Sequence, residues 1–203
     1  MLTDFNAATA DLVHAVQNAF PDVMVIALFV TAAIILLHFV LALIGRKTAP
    51  AKRRWNLWER LVYLGALVSV AGLAFTSFYP ILTLGTMRHW WLFAHMFGAG
   101  VLVAVLPLIA INWAGPSCFG HPDSSEQPRA EAPRFFRTTK VMFWLFLTSG
   151  FVVVLTTLLS MVPIFGTDGM HILLDIHRYS GLIAVVALAF HFYYVLLQRA
   201  RIR

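Results

Sequence analysis

Five long runs of apolar residues constrain the fold of this chain more than any other feature of its sequence. They extend over about residues 22–44, 61–82, 89–113, 141–162 and 172–197, each close to the ~20 residues with which a helix crosses a ~30 Å hydrocarbon core. Backbone groups in lipid must be hydrogen-bonded within their own segment, so each run predicts a helix. Strands of a membrane barrel would be about ten residues long and alternating in polarity. The runs therefore predict an all-α integral membrane protein with five transmembrane helices.

The distribution of charge predicts how these helices are oriented. Only 12% of the 203 residues are charged and 60% are apolar, which is too little charge for the polar shell of a soluble domain. Of the 15 basic residues, 13 lie between the first and second helices, between the third and fourth, or after the fifth. Only Arg88 and Arg178 remain for the other side. The net charge of +6 therefore reflects membrane topology and does not indicate nucleic-acid binding. Because basic loops stay in the cytoplasm, the N-terminus is predicted outside and the C-terminus in the cytoplasm.

Residues 1–20 precede the first apolar run and are predicted as an outer-surface segment, with residues 21–203 forming a single transmembrane domain. Leu12, Val13, Val16 and Phe20 follow a helical spacing, which fits a helix lying on the membrane or against a partner. A frayed tail is the equal alternative. The single cysteine, Cys118, and the absence of a C-x-x-C-H motif exclude a covalently attached c-type haem and a cysteine-ligated cluster.

Four of the eight histidines lie well inside the apolar runs, where ionisable side chains are costly and are functional candidates by default. They are His38, His95, His177 and His191. His177 and His191 are 14 residues apart on one helix, so they share a face and lie about 21 Å apart along the axis. The other four histidines (His14, His89, His121 and His171) are interpreted as interfacial or solvated side chains.

Depth in the membrane pairs these four residues. His95 begins an inward-running helix and lies level with His177 in the outer half, whereas His38 and His191 each lie eight residues before a cytoplasmic arginine. Two imidazoles per iron fill both axial positions of a haem, which favours electron transfer. The pairs predict two b-type haems, an outer one on His95 and His177 and an inner one on His38 and His191. The alternative is that each histidine only hydrogen-bonds a neighbouring helix.

Several segments resemble a known family. IHRYSGLIAVVALAFHFYYVLLQ, from Ile176, resembles the last helix of the cytochrome b subunit of respiratory formate dehydrogenases, and the b-type cytochrome of nickel–iron hydrogenases is related. KVMFWLFLTSGFVVVLTTL, from Lys140, and HMFGAGVLVAVL, from His95, are similar to two other helices of its four-helix core. The chain departs at the family's Arg-x-x-His-Trp, where it has Arg60, Leu61, Val62, Tyr63 and Leu64.

The resemblance implies that His95 and His177 hold the outer haem and that His191 holds one side of the inner haem. Because Tyr63 stands where the family has a histidine, His38 of the additional N-terminal helix is the hypothesised second inner ligand. Arg178 outside and Arg54 inside are candidates to pair with haem propionates.

The same resemblance implies a membrane anchor in the bacterial inner (plasma) membrane. It would pass electrons between soluble catalytic and iron–sulfur subunits on the outer side and the quinone pool. The chain has no nucleotide loop, metal-cluster ligands or activated nucleophile for substrate chemistry of its own. Two alternatives remain open: a stand-alone b-type oxidase or ferric reductase, and a haem-free structural anchor.

Overall fold

The computed structural model describes residues 2–44, 55–119, 137–162 and 164–199, with side chains from residue 15 onward. These ranges contain five α-helices and no strand: α1 (Leu2–Ile44), α2 (Leu57–Leu84), α3 (Trp90–Ser117), α4 (Arg137–Ser160) and α5 (Gly166–Arg199). Each helix contains a stretch long and apolar enough to cross a membrane. The prediction of an all-α protein with five transmembrane helices is confirmed.

Two helices are longer than the apolar runs that predicted them. α1 is one continuous helix of 43 residues, and Pro21 lies inside it, where it removes one backbone hydrogen bond without ending the helix. α5 begins at Gly166, which has a φ of 60°, six residues before the run that starts at Ile172. Apolar runs mark only the part of a helix that matches lipid, so helical extensions beyond the membrane escape a prediction based on hydropathy.

Helices α2 to α5 form a closed four-helix bundle. The hairpins α2–α3 and α4–α5 have the most extensive contacts, and α3 against α4 and α2 against α5 close the ring. This order places α3 and α5 diagonally across the bundle, where side chains on their inner faces meet at its centre. α1 lies outside the ring and packs on α5. The predicted four-helix core with an additional N-terminal helix is therefore confirmed.

The contact between α1 and α5 is concentrated next to the first spanning turns of α1. Phe20 and Met24 are buried there against Leu182. The ring of Phe20 meets that of Tyr179 edge-on at 5.2 Å, and the Tyr179 hydroxyl donates to the carbonyl of Val16 at 3.0 Å. Apolar side chains gain little from meeting each other in lipid, so such close packing and interhelical hydrogen bonds hold α1 in place.

One end of the bundle, where α2 and α4 begin and α3 and α5 end, is called the basic end because it carries Arg137, Lys140 and Arg199. Here side chains of α4 satisfy the last carbonyls of α3: Trp144 donates to Ser117 at 3.0 Å and Lys140 donates to Cys118 at 2.7 Å. Such partners are needed because the final carbonyls of a helix have none within it.

The larger of the two buried apolar clusters lies in the half of the bundle next to the basic end. Its members reach no further than Val70 on α2 and Phe146 on α4, and they begin at Leu102 on α3 and Ala184 on α5. The other half of the bundle, beyond these four residues, is called the open half. Four of the interior side chains in the open half are polar: Thr76, His95, Thr156 and His177.

Candidate functional site

His95 of α3 and His177 of α5 face each other across the diagonal of the open half. Their ring centroids are 6.3 Å apart and their planes are inclined at 71°. An imidazole nitrogen binds a transition metal at about 2.0–2.1 Å, so two imidazoles on opposite sides of one metal have centroids about 6.4 Å apart. The separation of the two rings therefore matches a shared metal ion, and the predicted outer pair is brought together.

Hydroxyl groups of neighbouring helices hold the Nδ1 atoms of both rings. Nδ1 of His95 is 3.3 Å from Oγ1 of Thr76, and Nδ1 of His177 is 3.2 Å from Thr156 and 3.3 Å from Thr157. Each hydroxyl lies within hydrogen-bond distance of a carbonyl in its own helix, to which it donates its hydrogen; for Thr76 this is Gly72, at 2.8 Å.

With its hydrogen directed to that carbonyl, each hydroxyl oxygen accepts from a ring nitrogen. Nδ1 is then the N–H donor of the imidazole, and Nε2 is the nitrogen with the lone pair. A hydrogen bond from the distal ring nitrogen is the usual means by which proteins fix the tautomer and orientation of a metal-ligating histidine.

The surroundings of the pair leave some space beside His177. Both imidazoles are only half-buried, although they point to the bundle centre. Gly181 lies one turn from His177 on the same face, and a Cβ built on it would meet nothing within 4 Å. The described residues contain no group of three or more His, Cys, Asp or Glu able to hold a metal ion. The donor set is two imidazoles, which fits a macrocycle that supplies the other four ligands.

The predicted inner pair is arranged differently. His38 is exposed on α1, and its Nδ1 shares a hydrogen bond of 2.7 Å with the Tyr193 hydroxyl. His191 is buried, and its Nδ1 donates to the carbonyl of Thr139 at 3.0 Å. Residues two apart on a helix lie about 200° apart around its axis, so Tyr193 and His191 occupy nearly opposite faces of α5. The structure does not bring His38 and His191 together, and their pairing stays a prediction.

The surroundings of His191 are filled by aromatic side chains. Its ring centroid lies 6.0 Å from that of Tyr63 and 5.9 Å from that of Phe143, and Tyr63 in turn contacts Trp113 at 6.0 Å. Tyr63, on α2, thus stands opposite His191. These residues form a packed core and do not fit a second haem between α2 and α5.

The structure describes the side chain of only one of the two arginines predicted to pair with haem propionates. Arg178 follows His177 directly, but its guanidinium lies 3.8 Å from the Asp175 carboxylate and 5.9 Å from the Phe20 ring centroid, so it is turned toward α1. Arg54 lies outside the described residues, as do the side chains of His14 and His121. A role for either arginine toward propionates stays a prediction.

Sequence reasoning missed the three threonines that orient the histidines and a buried carboxylate, Asp175. The threonines lie 19 to 21 residues from their histidines along the chain, so no local spacing links them. Asp175 is 8% exposed and was detectable as an acidic residue inside an apolar run.

Comparisons with protein-family models, characterised proteins and solved structures give no match for the chain. The function proposed below therefore depends on the geometry of the site and on the resemblance of the sequence segments.

Proposed function

We propose that this chain is a b-type membrane cytochrome that holds a haem between His95 and His177 and serves in electron transfer. The observation that carries the proposal is the facing pair of rings, 6.3 Å apart, with both Nδ1 atoms hydrogen-bonded to hydroxyls. Because the hydroxyls engage Nδ1, Nε2 of each ring is the nitrogen available to a metal.

The residues of the chain would have three tasks at this site. His95 and His177 would hold the haem iron, and the threonines would fix the orientation of the rings. The apolar outer surfaces of the helices keep bulk water from the bundle. A haem held by these two histidines would supply reversible one-electron chemistry.

The partners in this proposal come from the resemblance to the cytochrome b subunits. We infer soluble catalytic and iron–sulfur subunits on the outer side and quinone as the lipid-soluble reaction partner. The orientation inferred from charge puts the basic end in the cytoplasm and the histidine pair near the outer surface. In that orientation, an electron arriving from an outer subunit reaches the His95–His177 site first. The second haem on His38 and His191 remains a prediction.

The spectrum and haem content of the purified protein test the proposal. We expect a reduced-minus-oxidised spectrum of b type and one haem per chain by the pyridine haemochrome assay. His95→Ala and His177→Ala should each abolish the haem, whereas His171→Ala should retain it, because His171 is exposed and bonds only to Gln17 among the described residues.

Three outcomes separate the alternatives. A protein without haem after haem-replete expression contradicts the proposal and leaves the structural anchor. Two haems per chain, with half lost in His38→Ala, would establish the inner pair. Purification with all activity in the single chain, and no hydrophilic subunit, would favour a stand-alone oxidase or ferric reductase.

A further inference from the structure

Three buried polar atoms at the basic end have no hydrogen-bond partner among the residues that the structure describes. They are the hydroxyl of Tyr63, Nε1 of Trp113 and Oγ of Ser117. The three residues are 9%, 2% and 0% exposed, respectively. Buried polar groups in folded proteins are nearly always hydrogen-bonded, so each such atom calls for an explanation.

The three residues are neighbours in the bundle. Trp113 and Ser117 are four residues apart and lie on one face of α3. The ring of Tyr63, on α2, is 6.0 Å from that of Trp113. The indole of Trp55 covers both, at 5.0 Å from Tyr63 and 5.4 Å from Trp113, and the Arg199 guanidinium lies 4.0 Å from the Trp55 ring. The unpartnered atoms therefore belong to neighbouring residues that are all buried.

The hydroxyl of Ser117 differs from other buried hydroxyls of the bundle. Ser149 and Thr156 donate to carbonyls in the preceding turn, at 2.7 and 2.9 Å, which is the ordinary solution for such residues in an apolar helix. Ser117 makes no such bond, although α3 offers it the carbonyl of Trp113. Its hydroxyl is thus available to a third group.

The chemistry of the three atoms defines that group. The indole N–H of Trp113 can only donate, whereas the two hydroxyls can donate or accept. The bound group must therefore accept at least one hydrogen bond, and a group that also donates would satisfy all three atoms. Trp55 packs edge-on against Tyr63 and Trp113, and the three residues are buried, so the bound group must be small. Buried water molecules typically make about three hydrogen bonds to groups of this kind.

We propose that ordered water is bound at the basic end between Tyr63, Trp113 and Ser117 and joins α2 to α3. This site lies beside the aromatic core around His191 and is independent of the haem proposed on His95 and His177. The apolar side chains in the packed half of the bundle therefore surround a small polar site that contains water.

A double-mutant cycle of Tyr63→Phe and Ser117→Ala in the full chain tests the proposal. The two hydroxyls make no direct hydrogen bond, so energetic coupling requires a shared partner. We expect each single change to lower the folded-to-unfolded ratio in detergent about five-fold or more. The double variant should lose about three-fold less than the product of the single losses.

Tyr63→Phe combined with Ser149→Ala is the matched control, because the Ser149 hydroxyl bonds within its own helix. That pair should be additive. Neutral or stabilising single changes that add independently would overturn the proposal, since removal of an unpaired buried hydroxyl relieves a penalty. An experimental map that resolves ordered water provides the second measurement: density within hydrogen-bond distance of Trp113 Nε1 supports the site, and its absence overturns it.

Discussion

At the scale of single residues, the orientation of the two histidine rings depends on three threonines from neighbouring helices. Thr76 on α2 orients His95 on α3, and Thr156 and Thr157 on α4 orient His177 on α5. Each hairpin of the bundle thus supplies one histidine and its own orienting hydroxyls. Hydrogen-bond partners of this kind raise the basicity of the ligand and tune the metal. The two sides differ because His177 has two threonine neighbours and His95 has one.

Replacing Thr76 with valine tests this role. The change keeps the shape of the side chain and removes the acceptor of the His95 N–H. We expect haem affinity to fall about 10- to 100-fold. The midpoint potential of the haem should rise, because a less basic ligand stabilises the ferric state less. Thr148→Val is the control, since its hydroxyl bonds to carbonyls of α4. Redox titration and haem retention on gel filtration measure both effects; equal behaviour of the two variants would contradict the role.

Gly181 tests whether the space beside His177 receives the cofactor. A Cβ at this position meets nothing within 4 Å, so Gly181→Leu should fold with unchanged helix content by circular dichroism. Its side chain would occupy the space beside the imidazole, and haem per chain should fall to less than about a tenth. Gly115→Leu is the control, because Gly115 is equally unobstructed but lies on α3 at the basic end. Full haem content in Gly181→Leu would place the cofactor elsewhere.

At the scale of elements, α5 organises the molecule, because it contacts α1, α2 and α4 and carries His177 and His191. The ends of its neighbours are fixed locally. At the start of α2, the side chain of Asn56 accepts from the backbone N–H of Glu59 at 2.7 Å. The Glu59 carboxylate accepts in return from the backbone N–H of Asn56 at 2.9 Å. This capping box satisfies two backbone donors that the helix cannot satisfy itself.

Asn56→Ala removes half of this capping box. We expect the free energy of unfolding to fall by about 1 kcal/mol, with haem content unchanged because the cap is at the end remote from His95. Asn56→Asp retains an acceptor and should keep most of the stability. Thermal unfolding in detergent measures the difference, and identical stability of the alanine and aspartate variants would show that the cap contributes nothing.

At the scale of the whole molecule, the bundle is packed in one half and open in the other. Apolar side chains fill the half at the basic end, whereas the half with the histidine pair has polar side chains in its interior. A core filled to ordinary density gives a rigid base. Over the whole bundle, the contacts within each hairpin are more extensive than the contacts between the two hairpins. A flat cofactor bridging α3 and α5 would join the two hairpins, so we expect haem loss to lower the stability of the whole bundle.

The orientation of the molecule is predicted by charge alone. With 13 of the 15 basic residues on one side, we expect the C-terminus and the loop between α3 and α4 in the cytoplasm. Green fluorescent protein fused to the C-terminus should fluoresce. Alkaline phosphatase inserted between α2 and α3 should be active, because it would be exported. The opposite pattern for the two reporters would reverse the assignment of inner and outer sides.

The sequence by itself determined the number of helices, because lipid requires long apolar segments that satisfy their own backbone hydrogen bonds. Depth along those segments also predicted that His95 and His177 are level, since rise per residue is fixed in a helix. The direction in which a side chain points depends on how helices pack. Only the tertiary structure therefore decided that His95 faces His177, that His38 and His191 lie on opposite sides of α5, and that Tyr63 closes the half of the bundle around His191.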